Sequence, residues 1–174
     1  MKQIALFCSS SKVIPQSFND AAAEVTAGLC SKGYGIVSGG TVLGTMGVIS
    51  STAAKCGGHH KGVLPKFMKG IDYQAMSESV WTETMAQRKE EMRKDTDAVI
   101  ALPGGIGTLD ELIETLVLKK LKQYQGRVII LNVDGFYNPL LALLDHYVAT
   151  GVLPAEDKAL LESYDSPKEL LDSF

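Results

Sequence analysis

The chain contains no apolar run approaching the roughly 20 residues of a membrane-spanning helix, so it is not expected to cross a bilayer. Cysteine is scarce. Cys8, Cys30 and Cys56 stand far apart with no CxxC step, a pattern that suits reduced thiols serving as small buried hydrophobes rather than a disulfide framework. A basic excess is missing too: 17 Lys and Arg against 20 Asp and Glu give a net charge of −3, which argues against a nucleic-acid polymer as partner. Met1-Lys2-Gln3 runs straight into Ile4-Ala5-Leu6-Phe7-Cys8, without the long apolar stretch and cleavage site of a secretory signal. A cytoplasmic location is therefore expected. Internal repeats, low-complexity tracts and linkers are also absent, and 174 residues, 45% of them apolar and 21% charged, suit one compact domain spanning 1–174.

Short apolar runs predict strands at Ile4–Cys8, Tyr34–Ser38, Gly62–Leu64, Val80–Trp81, Ala98–Leu102 and Val128–Asn132, with a weaker one near Leu160–Tyr164. Helical patterns lie between most of them: Pro15–Lys32, which has Pro in its first turn and Gly33 past its end, then Thr45–Lys55, Glu83–Lys94, Gly107–Tyr124 and Pro139–Ala149. Strands apolar on both faces, such as Val99-Ile100-Ala101-Leu102, belong in a parallel sheet covered on each side. The expected fold is thus α/β, a Rossmann-like doubly wound parallel sheet of about seven strands with helices on both faces. Ligands of such sheets bind beyond the carboxyl ends of the strands, which directs attention to the loops after Cys8, Ser38 and Leu102. Pro65–Ser77, the one long irregular connection, is placed to cover such a site.

The strongest local signal is Pro103-Gly104-Gly105-Ile106-Gly107-Thr108, between a buried strand and a helix whose Leu109, Leu112, Ile113, Leu116 and Val117 recur at helical spacing. Glycines let the backbone approach a ligand, and the first amides of a helix offer an anion site; a tight turn without a ligand is the other reading. Ser38-Gly39-Gly40-Thr41-Val42-Leu43-Gly44-Thr45-Met46-Gly47 sits in the same kind of context and has the same two readings. Neither run carries the GK[ST] of a Walker A loop, and Cys8-Ser9-Ser10-Ser11-Lys12 stands where a dinucleotide fingerprint would be. A single phosphate held by amides and hydroxyls fits better than a triphosphate or a dinucleotide.

Met85, Arg88, Lys89 and Met92 fall at i, i+3, i+4 and i+7, so a cation shares the methionine-bearing face. Its stem can snorkel to water, or the Arg88 guanidinium can enter a cleft and meet a phosphate or ribosyl oxygen. Asp110 and Glu111, read as first-turn residues, both suit the positive end of the helix dipole; beside a bound phosphate, Glu111 is placed instead to face the sugar. Cys56, His59 and His60 lack a fourth metal ligand nearby and read rather as a helix end before a strand. His146, alone on a helix, reads as structural.

Taken together, SGGTVLGTMG at 38–47, MAQRK at 85–89 and PGGIGTLDE at 103–111 resemble the LONELY GUY (LOG) family of cytokinin riboside 5′-monophosphate phosphoribohydrolases, also labelled lysine decarboxylases. The likeness extends to Cys8-Ser9-Ser10-Ser11, Gly62-Val63-Leu64-Pro65 and Leu131-Asn132-Val133-Asp134-Gly135-Phe136-Tyr137, and so spans most of the chain. The resemblance implies a Rossmann-like homodimer with its active site near the subunit interface, which splits AMP or N6-prenylated AMP into base and ribose 5-phosphate with no cofactor and no metal. It implies Arg88 and Glu111 as the catalytic pair and Gly104, Gly105, Gly107 and Thr108 as the phosphate loop. Ser9, Ser10, Gly39, Gly40, Gly44, Met46, Gly47, Met85, Lys89, Pro103 and Ile106 complete the expected substrate site. Nothing in the sequence supports pyridoxal phosphate chemistry. Two positions depart from the family pattern, Ser38 in place of an aromatic residue and Thr41 in place of a third glycine, and they bear on how base or ribose is held. The rival reading is a carrier that binds a nucleotide-like cofactor without cleaving it.

Overall fold

The computed structural model describes all residues from Met1 to Phe174. In chain order its elements are β1 (Gln3–Phe7), α1 (Gln16–Ser31), β2 (Gly35–Ser38), α2 (Gly44–Lys55), β3 (His60–Pro65), β4 (Glu78–Thr82), α3 (Met85–Arg93), β5 (Ala98–Ala101), α4 (Ile106–Lys120), β6 (Arg127–Leu131), α5 (Asn138–Ala149), α6 (Ala155–Lys158), β7 (Leu161–Tyr164) and α7 (Pro167–Asp172). Short 3-10 turns occupy Lys66–Met68 and Val133–Gly135. All seven expected strands form. Helices α6 and α7, of four and six residues, are too brief for periodicity to reveal.

Every strand pairing is parallel, in the order β4-β3-β2-β1-β5-β6-β7. The chain builds outward from β1 on one side, returns, and builds outward from β5 on the other, so the order reverses between β1 and β5, where Phe7 lies opposite Ala101. A crevice opens beyond the strand ends at such a reversal. Alternate strand residues feed two cores. Ile4, Leu6, Ile36, Ile100 and Ile129 pack with Ala22, Val25 and Leu29 of α1, Ile49 of α2 and Leu170 of α7. Phe7, Val37, Val63, Val99 and Ile130 pack on the other face with Met92 of α3 and Leu112 of α4.

Two expectations about α4 need correcting. Gly105 adopts an extended backbone and takes the N-cap, so the helix starts at Ile106 and Asp110 and Glu111 lie in its second turn, not its first. At the far end Lys122 has φ +60°, which stops the helix before Tyr124. Of the cysteines only Cys8 is a buried hydrophobe; Cys30 is half-buried, and Cys56, at the C-cap of α2, is exposed. His146 is exposed on α5.

Arg127, at the sheet end opposite the crevice, fastens the C-terminal elements. Its Nε meets Glu162 Oε1 at 3.0 Å, its Nη2 meets the Tyr164 hydroxyl at 2.8 Å, and its Nη1 reaches the Ser173 carbonyl at 3.2 Å. The guanidinium also lies 4.7 Å from the Phe174 ring centroid. A hydrogen bond from Arg127 holds the Glu162 carboxyl below its ordinary 4.5. A depressed acid stabilises the fold fully above its unfolded value and loses that contribution as pH falls through the folded one. Arg127→Ala is therefore expected to cost roughly 1 kcal/mol near neutral pH, a solvent-screened figure, with the gap from wild type closing as pH drops below 4.5. Thermal unfolding of both proteins across that range checks it; an equal gap at all pH values would remove the ion pair from the account.

Candidate active site

A cavity of about 440 Å³ opens at the β1/β5 reversal, lined by residues of the β1–α1, β2–α2 and β5–α4 loops and by α3. The volume lies within the range of small-ligand sites. Two helices begin at this cavity without a side-chain cap, α2 after Leu43 and α4 after Gly105. In α4 the first amide to bond back is that of Leu109, to the Gly105 carbonyl at 3.0 Å. The amides of Ile106, Gly107 and Thr108 thus remain available to an anion, with the helix dipole behind them. A methyl group built on Gly105 or Gly107 meets nothing within 4 Å, so packing within the fold does not require glycine there and the space beside both is open.

Arg88 and Glu111 meet across the cavity wall, 6% exposed each. The Arg88 Nη1 donates to Glu111 Oε1 at 2.6 Å and its Nε to the Val63 carbonyl at 3.1 Å. Its Nη2 finds no protein acceptor and lies against Gly39, where an added methyl would stand 2.5 Å from it. One carboxylate oxygen of Glu111 is engaged, and Oε2 has no hydrogen-bond partner. Burial pushes the Glu111 carboxyl above its ordinary range, and the Arg88 guanidinium pulls against that shift. Arg88 therefore does not snorkel.

The neighbouring cation behaves differently. Lys89 bonds Asp110 at 3.0 Å and pairs with Glu114 at 2.6 Å, while Arg93 reaches Glu114 at 3.2 Å, a network that clamps α3 against α4. The bond to Glu114, aided by Asp110, holds the Lys89 ammonium above its ordinary value. Cys8 lines the cavity, and burial pushes its thiol far above the usual range, away from the reactive thiolate.

Residues 46–174 match the family described as "Possible lysine decarboxylase". Over 172 residues the chain is 40% identical to the cytokinin riboside 5′-monophosphate phosphoribohydrolase LOG1 of Arabidopsis thaliana, covering 98% of this chain and 81% of that protein. The chain belongs to the LOG family. A probable phosphoribohydrolase of the same kind from Oryza sativa subsp. japonica, LOGL2, is 36% identical, covering 99% of this chain and 72% of its own length. Among solved structures, the molybdenum cofactor binding protein of Rippkaea orientalis superposes with a TM-score of 0.76 at 24% identity, covering 99% of this chain and 96% of that one. At that identity the likeness speaks for the fold alone.

In this LOG-family chain, Ser9, Ser10, Met46, Met85, Arg88, Lys89, Gly105, Ile106, Gly107, Thr108 and Glu111 line the cavity. Gly39, Gly40, Gly44, Gly47, Pro103 and Gly104 do not; they shape the loops behind it. Gly44 has φ +53°, and a side chain there would strike the Ser10–Ser11 backbone, so the β1–α1 and β2–α2 loops close on each other only because this position is glycine. Gly47 packs on the Val42 carbonyl and Gly104 under the Thr108 side chain.

Sequence reasoning missed Leu43, Met68 and Ile71 as lining residues. Met68 and Ile71 belong to the irregular segment after β3, which is tied to the glycine loop by Val42 N–H to the Ile71 carbonyl and Tyr73 N–H to the Gly40 carbonyl, both 2.9 Å. The segment does cover the site. No motif marks these two residues; the only available signal was the position of an apolar-bearing loop beside a glycine run. Ser38 and Thr41, the departures from the family pattern, are both buried, and Thr41 lines the cavity.

Proposed function

We propose that the protein hydrolyses the N-glycosidic bond of a nucleoside 5′-monophosphate, AMP or N6-prenylated AMP, to free base and ribose 5-phosphate. The observation that carries the reading is a buried Arg88–Glu111 pair facing a cavity one turn beyond the uncapped start of α4. The rise from Gly107 to Glu111 is about 6 Å, comparable to the reach from a phosphate to its ribose. With the phosphate on the amides of Ile106, Gly107 and Thr108, Glu111 faces the sugar. As the C1′–N bond breaks, its electron pair leaves with the base and positive charge grows on the ribose, where the ionised Glu111 stabilises it. Water then forms the new C1′–O bond and its proton replaces the lost bond on the base. Arg88 keeps Glu111 ionised and offers Nη2 to the nucleotide.

Lys89, doubly paired and held protonated, is unsuited to imine formation, which speaks against the decarboxylase description attached to the family. A carrier would need no buried acid at the sugar; the Arg88–Glu111 pair favours the enzyme over it.

The same reading makes the protein a homodimer with its site near the interface. An apolar groove between α4 and α5, lined by Leu109, Ile113, Leu116, Leu140, Leu143 and Tyr147, supports it. It continues past Leu109 and the 90% exposed Ile106 to the cavity mouth. Light scattering is expected to give twice the chain mass, and a monomer at micromolar concentration would end that part of the proposal. One sheet drawing on the whole chain supports a single domain over 1–174, and three unpaired cysteines are compatible with a cytoplasmic place.

Chromatography of the products from AMP, isopentenyl-AMP, GMP and CMP tests chemistry and base choice together. Free adenine or prenyl-adenine is expected, with adenosine a poor substrate because it lacks the phosphate anchor. Tight AMP binding without base release would give the protein to the carrier class.

A further inference from the structure

Ser38 and His60 lie behind the cavity, 0% and 1% exposed, and the site described above makes no use of them. The Ser38 Oγ and the His60 Nε2 are 2.8 Å apart. The same Oγ accepts the Gly40 amide at 3.1 Å. Burial, with His59 nearby, pushes the imidazole down to about 4, so the ring is neutral near pH 7.

The consequence of this bonding reaches the guanidinium. Gly40 takes φ +68°, its amide fixed by Ser38 and its carbonyl by Tyr73 N–H at 2.9 Å, so the peptide planes on either side of Gly40, the first of them joining it to Gly39, have little freedom. Gly39 is the surface against which Arg88 Nη2 rests. The His60 backbone completes the arrangement, its amide donating to Ser77 Oγ at 3.1 Å and its carbonyl accepting from Ser77 N–H at 2.9 Å. Ser77 ends the segment that carries Met68 and Ile71 over the cavity. One buried histidine therefore joins the loop under the arginine to the end of the covering segment.

We propose that Ser38 and His60 are positioning residues which, through Gly39 and Gly40, hold the seat of the Arg88 guanidinium and so set its aim at the substrate. The inference rests on the nucleotide-hydrolase reading. It assigns a role to Ser38, which replaces the aromatic residue expected from the family pattern.

Kinetics of Ser38→Ala, His60→Leu and His60→Gln on AMP, measured where circular dichroism shows each protein folded, test the pair. Ser38→Ala and His60→Leu are expected to lose about tenfold in kcat/KM, less than an ångström of misplacement can cost. His60→Gln, whose amide can still reach Ser38 Oγ, is expected to stay near wild type. In an Arg88→Lys background, which already lacks the seated fork, Ser38→Ala is expected to add little. Wild-type constants for folded Ser38→Ala, or an equal loss with and without Arg88, would overturn the assignment; if Ser38→Ala fails to fold, the two His60 variants decide. Arg127→Ala, destabilised at the far end of the sheet, serves as the control for stability alone. Absence of base release by the wild type would instead count against the hydrolase reading.

Discussion

Glu111→Gln is expected to retain the fold and to lose at least about a hundredfold in the rate of base release, the scale of removing one electrostatic stabiliser from a water-poor site. The amide keeps an acceptor for Arg88 Nη1, now 2.6 Å from Oε1, and fits the same volume. What it lacks is the charge proposed to meet the developing cation. The wild-type rate carries a second signature. Burial raises the Glu111 carboxyl above its ordinary 4.5, so activity falls as acid protonates it, with an apparent midpoint above that value. The residual rate of Glu111→Gln is expected to show no such limb. A folded variant that releases adenine at the wild-type rate would take Glu111 out of the chemistry.

Arg88→Met is expected to cost both activity and stability. It removes the guanidinium from the cavity wall, leaves the Val63 carbonyl without its donor, and strands the buried Glu111 carboxylate. Breaking a buried pair from one side costs about 3–5 kcal/mol, whereas neutralising both partners costs much less. Protonation of the stranded acid limits the loss and silences it as a stabiliser of positive charge. Urea unfolding of Arg88→Met, Glu111→Gln and the double variant reads the coupling. The double variant is expected to be more stable than Arg88→Met alone, and additive losses would mean the two residues do not act as a unit.

Much of this fold is written in local pattern. Fully apolar runs such as Val99-Ile100-Ala101 need cover on both faces, and they receive it from α1 and α2 on one side and α3 and α4 on the other. Glycines directly after a buried strand mark loops where backbone approaches a ligand, and both runs lie at the crevice. The short α6 and α7 were not legible, because a helix of one turn has no period to read. The start of α4 was displaced by one residue because Gly105 caps it with backbone alone and offers no polar side chain as a signal.

Local sequence sets the parallel sheet, the glycine loops and the coincidence of Arg88 with a methionine stripe, since each depends on residues close together in the chain. It left open whether that arginine reached water or a cleft. The packing of the folded chain settles it, by bringing α3 beside α4 so that residues 23 positions apart share one buried hydrogen bond. The same holds for Ser38 with His60 and for Met68 and Ile71 over the cavity. Contacts made across strand order carry no local period or propensity, and they exist only once burial of two apolar sheet faces has fixed which elements are neighbours.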